Sequence, residues 1–507
     1  MKLSILLEDI YKIPAEFDRD ISDLILDSRS VKAGDLFFAY KGVHFDGREY
    51  IDDAIAKGAV AVLVESDSTD VTLYGWASLR SAQPTSLQNI PIIPVKKLNF
   101  KLSAIAAKFF GNPAKSLRII GITGTNGKTS CSHFIAATLH QLNITCGVIG
   151  TLGSGLYGNI QQGGLTTPDA ITLQALFAKF VAQGATVVAM EVSSHSIDQG
   201  RVEGIPFEVA VFTNLTRDHL DYHGDMETYG AVKKRLFENN SPRYSVINAD
   251  DAFGRQMIQG FLPAKNIYAY TVDSAKKINA PTIAASKIEL DISGIHALVT
   301  TPWGQGQLDA SLIGQFNLSN LLAVLTTLCL LDIPLPQALK SFSELHAVHG
   351  RMQAIGSEDQ PLVVVDYSHT PDALEKALIA LRAHCQRELY CVFGCGGERD
   401  RGKRPMMAKI AEQYADHVIV TDDNPRHENS DQIMADIATG FQQPAKVIMQ
   451  HNRSKAIQDV IQCAVRGDCI LVAGRGGEIY QYVGDEKIPF DDVEVVKKFL
   501  SQLSSLV

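Results

Sequence analysis

Short apolar runs recur along the chain and alternate with segments whose apolar residues are spaced as on a helix. In the central part, 171–182 has this helical spacing. The apolar runs around it predict strands at 118–123, 145–150, 186–192, 208–214 and 244–248. Strands that alternate with helices predict a parallel sheet covered on both faces. Because ligands of such sheets bind at the carboxyl ends of the strands, we expect the chemistry there.

The segments on both sides of this central pattern predict two further α/β units. Residues 1–97 combine short apolar runs and turns with one helix at 51–57. Residues 282–312 alternate as antiparallel strands do, and 318–331 has the pattern of an apolar helix. Beyond them, strands are predicted at 362–366, 389–393, 417–421, 446–449 and 469–473.

Together these patterns predict an α/β protein of three domains. The first, 1–97, is a small α/β unit. The second, 98–345, is built on the central parallel sheet with helices on both faces. The third, 346–507, is a doubly wound, Rossmann-like domain with five strands. A chain of 507 residues has the length expected of about three domains.

The composition excludes several classes of function. A net charge of −9 argues against a general nucleic-acid or membrane surface. No stretch approaches the roughly 18 apolar residues of a membrane span, and residues 1–20 are too acidic for a signal peptide. Eight cysteines without a CxxC pair are best interpreted as buried thiols in a reducing compartment. We therefore expect a cytoplasmic protein. We also expect a monomer, although the sequence does not determine the oligomeric state.

The sequence IIGITGTNGKTS at 119–130 predicts a nucleotide triphosphate site. An apolar strand stops at a glycine-rich turn and a helix begins at Lys128, so that free N–H groups and the helix dipole face a phosphate. Gly124 and Gly127 permit a close approach of the backbone. Lys128 would reach the β- and γ-phosphates, and Thr129 would bind Mg²⁺. A glycine-rich turn with a solvated lysine is the alternative.

Polar residues at two later strand ends extend this site. Glu191 follows an apolar run and is a candidate ligand for nucleotide-bound Mg²⁺, with an acid that merely ends the strand as the alternative. The HxxxH spacing that begins at His219 lacks the glutamate of a zinc motif. Since Mg²⁺ is already implied, His219 is a candidate second ligand for Mg²⁺. Lys233 and Lys234 follow on a helix, where spacing alone favours a solvated basic face.

Three polar residues farther along the chain are candidates for nucleotide binding. Asn320 lies near a helix start, where simple capping is the alternative. Arg351 and Asp366 lie at turns that face the central domain. An arginine brought onto an ATP phosphate from another domain would couple domain closure to chemistry.

Two glycine-rich turns of the third domain lack the spacing of a dinucleotide site, and one turn of the first domain is a candidate for ligand binding. GCGGERDRGKRP and AGRGGEIYQ follow strands, but Arg399 and Ile479 stand where a dinucleotide fingerprint needs glycine, which excludes NAD. In the first domain, Ser28 and Arg29 either bind a polar ligand or form an ordinary turn, and the residues alone do not decide between these.

Eight motifs in order along the chain resemble those of the Mur ligases, over roughly residues 20–495. They are GTNGKT, TTPD, EVSSH, TNLTRDHLDYHG, GQFNLSN, HGRMQ, DYSHTPDAL and GCGGERDRGKRP. Ile122 stands where the general P-loop has glycine, and the remaining GTNGKTS resembles the shorter loop that Mur ligases share with folylpolyglutamate synthetases. Within the family, the motifs look like those of enzymes that add the third peptide residue in peptidoglycan synthesis.

The resemblance implies an ATP-dependent ligase that joins an acid to an amino acid. ATP would phosphorylate a substrate carboxylate, and an amine would attack the acyl phosphate to form an amide. Metal ions would neutralise the crowded anions. The same resemblance implies a part in cell-wall biogenesis, and through it in cell shape, cell division and the cell cycle.

The resemblance also assigns roles by position. The catalytic residues are Lys128, Lys233 and His219. The metal ligands are Thr129, Glu191, His219 and, as a carbamate, Lys233. ATP is assigned to Gly124, Thr125, Asn126, Gly127, Lys128, Thr129, Ser130, Asn320, Arg351 and Asp366. The UDP-sugar is assigned to Ser28, Thr166, Thr167, Ser193, Gln199 and Arg201. The amino acid is assigned to Arg399, Asp423, Asn424, Pro425, Arg426, Gly474 and Glu478.

The segment DNPR at 423–426 favours meso-2,6-diaminopimelate as the amino acid, because an arginine fork pairs with the carboxylate that lysine lacks. The other implied substrates are ATP and UDP-N-acetylmuramoyl-L-alanyl-D-glutamate. The alternatives are an L-lysine-adding ligase, a folylpolyglutamate-type ligase and a P-loop ATPase without ligase activity. Two departures from the family, GRGGE at 474–478 and GGERD at 396–400, concern loop shape near the amine.

Overall fold

A computed structural model describes most of the chain, with short gaps. The described residues are 1–42, 45–66, 74–75, 90–261, 266–291, 294–356 and 359–504. Their strands form three main sheets, each built from a contiguous part of the sequence. The fold class is therefore α/β, as the alternation of strands and helices predicted.

The first sheet has the strand order β1-β2-β3-β5-β4 and is parallel except for β4. Its strands are β1 (Leu24–Ile25), β2 (Leu36–Ala39), β3 (Ala61–Glu65), β4 (Tyr74–Gly75) and β5 (Pro91–Val95). The helices of this part are α1 (Leu3–Leu6), α2 (Ile51–Ala56) and α3 (Leu98–Phe109). All four residues of β2 are buried, as expected of a parallel strand with both faces covered.

The second sheet has eleven strands in the order β16-β15-β14-β13-β12-β11-β6-β10-β7-β8-β9. The strands are β6 (Arg118–Thr123), β7 (Cys146–Gly150), β8 (Gly153–Leu156), β9 (Asn159–Gln161), β10 (Val187–Glu191), β11 (Phe207–Phe212), β12 (Tyr244–Asn248), β13 (Ile267–Thr271), β14 (Thr282–Asp291), β15 (Gly294–Thr301) and β16 (Gly304–Ala310). The helices are α4 (Lys128–Gln141), α5 (Ala170–Ala182), α6 (Ser194–Asp198), α7 (Leu220–His223), α8 (Met226–Glu238), α9 (Ala252–Phe261), α10 (Gln315–Leu330) and α11 (Leu335–Phe342). β6 lies between β10 and β11 and is parallel to both.

The region predicted to alternate as antiparallel strands does so. β14, β15 and β16 form an antiparallel meander at one edge of the second sheet. α10 packs on the sheet, and its residues from Leu321 to Leu330 are all buried. Apart from two threonines, these residues are apolar on every side of the helix. Such a helix is typical of a core position between two layers.

The third sheet has six strands in the order β17-β18-β22-β19-β20-β21, not the predicted five. The strands are β17 (Gln353–Ile355), β18 (Leu362–Asp366), β19 (Leu389–Phe393), β20 (His417–Thr421), β21 (Ile448–Gln450) and β22 (Cys469–Ala473), and a separate hairpin is formed by β23 (Tyr480–Val483) and β24 (Glu486–Pro489). The helices are α12 (Pro371–Arg382), α13 (Lys403–Tyr414), α14 (Ser430–Ala438), α15 (Arg453–Cys463) and α16 (Asp492–Ser504). The additional strand is β17, which pairs antiparallel with β18.

The cysteines agree only in part with the prediction of buried thiols, because Cys385 is half-buried and Cys463 is exposed. All eight cysteines are free thiols, and six of them are buried. Within the described residues, no helix combines the length and the apolar character needed to cross a membrane.

Candidate active site

The P-loop connects β6 to α4 at the centre of the second sheet. A side chain at Gly124, which has φ +147°, would come within 1.9 Å of Thr213 Oγ1, so only glycine fits there. Lys128 Nζ donates to the backbone oxygens of Gly124 and Thr125, both at 2.9 Å. The loop therefore holds its own lysine inside the turn that was predicted to cradle phosphate.

Lys233 reaches the same loop from α8. Its Nζ donates to Gly124 O at 3.0 Å and lies 4.5 Å from the centre of the Tyr229 ring. Lys233 is only 1% exposed, and burial, followed by the charge of Lys128, lowers its pKa well below the ordinary value. Lys234, in contrast, is about one third exposed and pairs with Glu238 at 2.8 Å. The solvated basic face suggested by spacing therefore applies to Lys234 and not to Lys233.

Glu191 lies at the carboxyl end of β10, beside the P-loop, and is 1% exposed. Its Oε1 accepts hydrogen bonds of 2.8 Å from Thr129 Oγ1 and from the backbone N–H of Thr151. A buried carboxylate bonded to the P-loop threonine is more than an acid that ends a strand.

His219 lies next to Asp218 in the loop between β11 and α7. Its Nε2 is 3.3 Å from Asp218 Oδ2, and His369 Nε2 approaches the same carboxylate oxygen at 3.5 Å. Burial lowers the pKa of His219 to about 3, so the imidazole is neutral at pH 7. Burial raises the pKa of Asp218, but the hydrogen bond from His369 and nearby positive charges lower it more, so the net shift is well below the ordinary value.

Within the described residues, no group of three or more histidine, cysteine, aspartate or glutamate side chains is placed to hold a metal ion. Mg²⁺ does not need such a cage, because it usually keeps several waters and uses one or two carboxylates with substrate phosphates. The hydroxyl of Thr129 and the carboxylate of Glu191 are hard oxygen donors that fit this preference.

A first cavity of about 790 Å³ opens over these residues. Of the residues assigned from the sequence it is lined by Thr125, Asn126, Gly127, Lys128, Thr129, Ser130, Thr166, Glu191, Ser193, His219, Lys233, Asn320, Arg351 and Asp366. Asn320 does not cap its helix, because Gly314 occupies the N-cap of α10 and the Asn320 amide donates to Asn317 Oδ1 at 3.2 Å.

Arg351 and Asp366 enter the first cavity from the third sheet. Arg351 Nη2 donates to Thr129 Oγ1 at 3.1 Å, and its guanidinium lies 4.0 Å from the centre of the Tyr367 ring. Asp366 lies at the end of β18 and accepts from the N–H of Met352 at 2.7 Å. Both turns therefore face the P-loop, as the sequence suggested.

Four residues assigned to the UDP-sugar form one hydrogen-bonded group. Thr167 Oγ1 donates to Glu191 O at 2.8 Å and accepts from the N–H of Ser193 at 3.1 Å. Arg201 donates to Thr167 O at 2.8 Å and also bonds to Gln199. Ser28 lies apart from this group, in a short turn beside the first sheet, where its backbone oxygen accepts from Lys57 Nζ at 3.2 Å.

A second cavity of about 470 Å³ adjoins the first. Of the residues assigned to the amino acid it is lined by Arg399, Asp423, Asn424, Arg426, Gly474 and Glu478, while Pro425 stays in the loop behind them. The residues that line both cavities are Thr151, Thr166, Asp218, His219, Arg351, Tyr367 and His369. The two cavities therefore meet, and Asp218 and His369 lie at their junction. The sequence predicted no role for these two residues, although they lie in the motifs TNLTRDHLDYHG and DYSHTPDAL.

The departure GRGGE has a structural explanation in Arg475, which is fully buried. Its guanidinium donates to Asn424 Oδ1 and to Tyr480 O, both at 2.7 Å, and to Phe490 O at 3.1 Å. Asn424 in turn donates to Glu478 Oε2 at 2.7 Å. The arginine thus fixes the 423–426 loop to the β23–β24 hairpin.

Several contacts hold the third sheet against the second. Arg217 donates to Asp400 through Nε at 2.8 Å and through Nη2 at 3.1 Å. At residue 350 two backbones touch, because a Cβ on Gly350 would lie 1.9 Å from Gly477 N and 2.1 Å from Gly476 C. The segment between the two sheets is thus in direct contact with the glycine-rich loop of the second cavity.

A P-loop cavity that opens into a second, charged cavity suits an enzyme that joins two substrates with the help of a nucleoside triphosphate. Three family models match the chain: "Mur ligase family, catalytic domain" at 20–110, "Mur ligase middle domain" at 122–328 and "Mur ligase, glutamate ligase domain" at 350–476. The chain belongs to the Mur ligase family, and it is an ATP-dependent amide ligase.

Relatives and solved structures agree with this membership. The chain is 47% identical over 480 residues to the UDP-N-acetylmuramoyl-L-alanyl-D-glutamate--2,6-diaminopimelate ligase of Coxiella burnetii, covering 95% of this chain and 96% of the relative. The ligase of the same name from Pseudomonas aeruginosa is 47% identical over 487 residues, covering 96% of each. A solved structure of a ligase with this name superposes with a TM-score of 0.68 and 34% identity, covering 99% of this chain and 100% of that one.

Proposed function

We propose that this ligase adds meso-2,6-diaminopimelate to UDP-N-acetylmuramoyl-L-alanyl-D-glutamate in peptidoglycan precursor synthesis. The observation that carries the proposal is the junction of the two cavities, where Asp218, His219 and Arg351 face both the P-loop and the charged pocket. The names of the relatives at 47% identity support the choice of substrates.

The reaction has two steps at this junction. An oxygen of the glutamyl carboxylate attacks the γ-phosphorus of ATP, which releases ADP and leaves an acyl phosphate. The amine then attacks the acyl carbon, the carbon–oxygen bond to phosphate breaks, and the amine loses a proton as the amide forms. Lys128 and Arg351 bind phosphate oxygens, and this use of Lys128 requires its present bonds to the loop oxygens to be exchanged.

Magnesium would be held by Thr129, Glu191, His219 and the carbamate of Lys233. When bound, Mg²⁺ neutralises the negative charge that phosphoryl transfer brings together. The depressed pKa of Lys233 supports its modification, because only a neutral amine adds to carbon dioxide. The product is an anion at a position where the unmodified side chain donates to the P-loop.

The two substrates occupy different sides of the junction. The UDP-sugar is assigned to Ser28, Thr166, Thr167, Ser193, Gln199 and Arg201, and four of these already share hydrogen bonds. Diaminopimelate is assigned to Arg399, Asp423, Asn424, Pro425, Arg426, Gly474 and Glu478. The guanidinium of Arg426 suits the carboxylate that distinguishes diaminopimelate from lysine.

The proposal extends to the domains. Residues 1–97 bind the UDP-sugar, 98–345 bind ATP, and 346–507 bind the amino acid. A cytoplasmic location and a monomeric state stay predictions of the sequence.

The experiment that tests the proposal is phosphate release by the purified protein with ATP, Mg²⁺ and UDP-N-acetylmuramoyl-L-alanyl-D-glutamate. Three reactions receive meso-diaminopimelate, L-lysine or no amine. Release only with diaminopimelate is expected. Release with lysine would contradict the reading of DNPR, and full release without an amine would identify an ATPase. Turnover of a folate substrate with glutamate, in place of the UDP-sugar, would identify the folylpolyglutamate-type ligase.

A further inference from the structure

Helix α13 begins with two buried cations that differ in their surroundings. Arg404 is fully buried, and its guanidinium bonds to both carboxylate oxygens of Glu428 and to Asp436, each at 2.7 Å. Lys403 is 4% exposed. Among the described residues, no oxygen accepts a hydrogen bond from Lys403 Nζ, and no carboxylate pairs with it.

An ammonium taken out of water without a partner is strongly destabilising, so such groups in proteins are normally paired. Lys403 helps to line the second cavity. Its Nζ has no protein partner in the described part of the chain but is not fully buried, so the ammonium is accessible from the cavity. A buried cation that faces a cavity without a protein partner is placed to meet an anion that enters the cavity.

The position of Lys403 narrows the choice of anion. Lys403 lines the second cavity and is absent from the lining of the first, where the P-loop lies. It shares the wall of the second cavity with Asp218, which lies at the junction because it also lines the first cavity. The anion therefore belongs to the substrate of the second cavity, at the end where this substrate meets the acyl group.

We propose that Lys403 binds the carboxylate of the incoming amino acid that lies next to the attacking amine. This inference rests on the proposed function and adds a contact to the amino-acid pocket. Arg426, which donates to Gly397 O at 2.8 Å on the wall of that pocket, remains available for the second carboxylate of diaminopimelate. Lys403 would then bind the carboxylate next to the attacking amine, which every amino acid has. Arg426 would bind the second carboxylate, which distinguishes diaminopimelate from lysine.

The test compares Lys403→Met, which keeps length and removes charge, with Lys403→Arg and with Lys409→Met. Lys409 is an exposed lysine of the same helix and serves as the matched control. We expect Lys403→Met to raise the KM for diaminopimelate by about 10- to 100-fold, the range for losing a hydrogen bond to a charged group. Lys403→Arg should recover part of this loss, and Lys409→Met should behave as the wild type.

Two further readouts separate binding from a structural role. Acyl-phosphate formation, followed without amino acid by ¹⁸O exchange between the bridging and non-bridging positions of ATP, should be unchanged in Lys403→Met. The melting temperature should be equal to or higher than that of the wild type, because an unpaired buried charge has been removed. A structural lysine would instead give a lower melting temperature.

Three results would overturn the proposal. An unchanged KM for diaminopimelate in Lys403→Met would show that Lys403 does not bind this substrate. Slower isotope exchange would show that the ammonium acts on the phosphoryl group instead. A lower melting temperature with an unchanged KM would make Lys403 structural. Failure of the proposed function is seen separately, since the wild-type enzyme would then release no phosphate in response to diaminopimelate.

Discussion

The two adjoining cavities are built in different ways. The first is organised by one continuous turn between β6 and α4, and its two lysines, Lys128 and Lys233, both donate to Gly124 O. The second collects loops after β19, β20 and β22, which are far apart in sequence, and a hairpin that Arg475 ties to Asn424. The proposed phosphate site thus depends on local backbone geometry, whereas the proposed amino-acid site depends on the tertiary packing of separate loops.

The largest expected effect is the loss of turnover when a residue of the first cavity is replaced. Lys233→Ala should lower turnover on the order of 1000-fold or more, at or beyond the upper end of the loss found when a group that stabilises developing charge is removed. Short carboxylic acids should restore part of the activity by replacing the carbamate. Lys234→Ala, in the neighbouring exposed lysine, is the control and should retain activity in the phosphate-release assay.

Equal inactivity of Lys233→Ala and Lys234→Ala, without rescue, would contradict the assignment. Binding of diaminopimelate to Lys233→Ala, measured by calorimetry, should be retained if the two cavities are as separate as their construction suggests.

The next effect concerns the second cavity. Arg426→Asn should weaken the use of diaminopimelate by about 2 to 5 kcal/mol, the cost of leaving a buried charge unpaired. The KM for ATP should stay the same. The measurement is kcat/KM for diaminopimelate and for lysine, with Arg466→Asn, at an exposed arginine, as the control. Unchanged selectivity would place the specificity determinant elsewhere in the pocket.

The smallest effect on activity is expected from weakening the Arg404–Glu428 ion pair by pH, because this pair acts mainly on the stability of the fold. The hydrogen bond from Arg404 lowers the pKa of Glu428 from 4.5 to about 2. The stabilisation is therefore complete above about pH 4.5 and is lost as the pH falls towards 2, amounting to on the order of 3 kcal/mol. Glu428→Gln should lower the free energy of unfolding at pH 6 by this order, and the difference from wild type should shrink towards pH 2.

Denaturant unfolding at several pH values measures this difference, and Glu486→Gln, in an exposed residue of β24, is the control. A difference that is independent of pH would contradict the role of the Glu428 charge. Because Glu428 Oε2 also accepts from the N–H of Glu398 at 3.0 Å, its loss should affect the KM for diaminopimelate before that for ATP.

Sequence alone predicted the parts of the molecule that depend on local pattern. The strand of β6, the turn at Gly124 and the helix from Lys128 follow one another in a single stretch, so their geometry is contained in that stretch. The difference between Lys233 and Lys234 cannot be predicted from a single stretch. Both lie on one helix, and only the packing of α8 against the P-loop buries Lys233.

Tertiary context also explains what was missed. β17 is three residues long and becomes a strand by pairing with β18, so its sequence gives little signal. Lys403 and Arg404 are adjacent and both are cationic, yet Arg404 is paired with Glu428 and Asp436 whereas Lys403 is unpaired among the described residues, a difference that only the tertiary packing creates. The residue assignments in the second cavity remain predictions for the variants above to test.

The backbone contact at Gly350 has a consequence for how this enzyme can change. Gly350 and Gly476 have positive φ angles, +64° and +54°, and no side chain separates their segments. A change in the backbone on one side of this contact must therefore be matched on the other side. New amino-acid preferences can arise through the side chains around the loop, whereas any side chain larger than hydrogen at the contact would disturb both the segment at Gly350 and the loop of the second cavity in a single step.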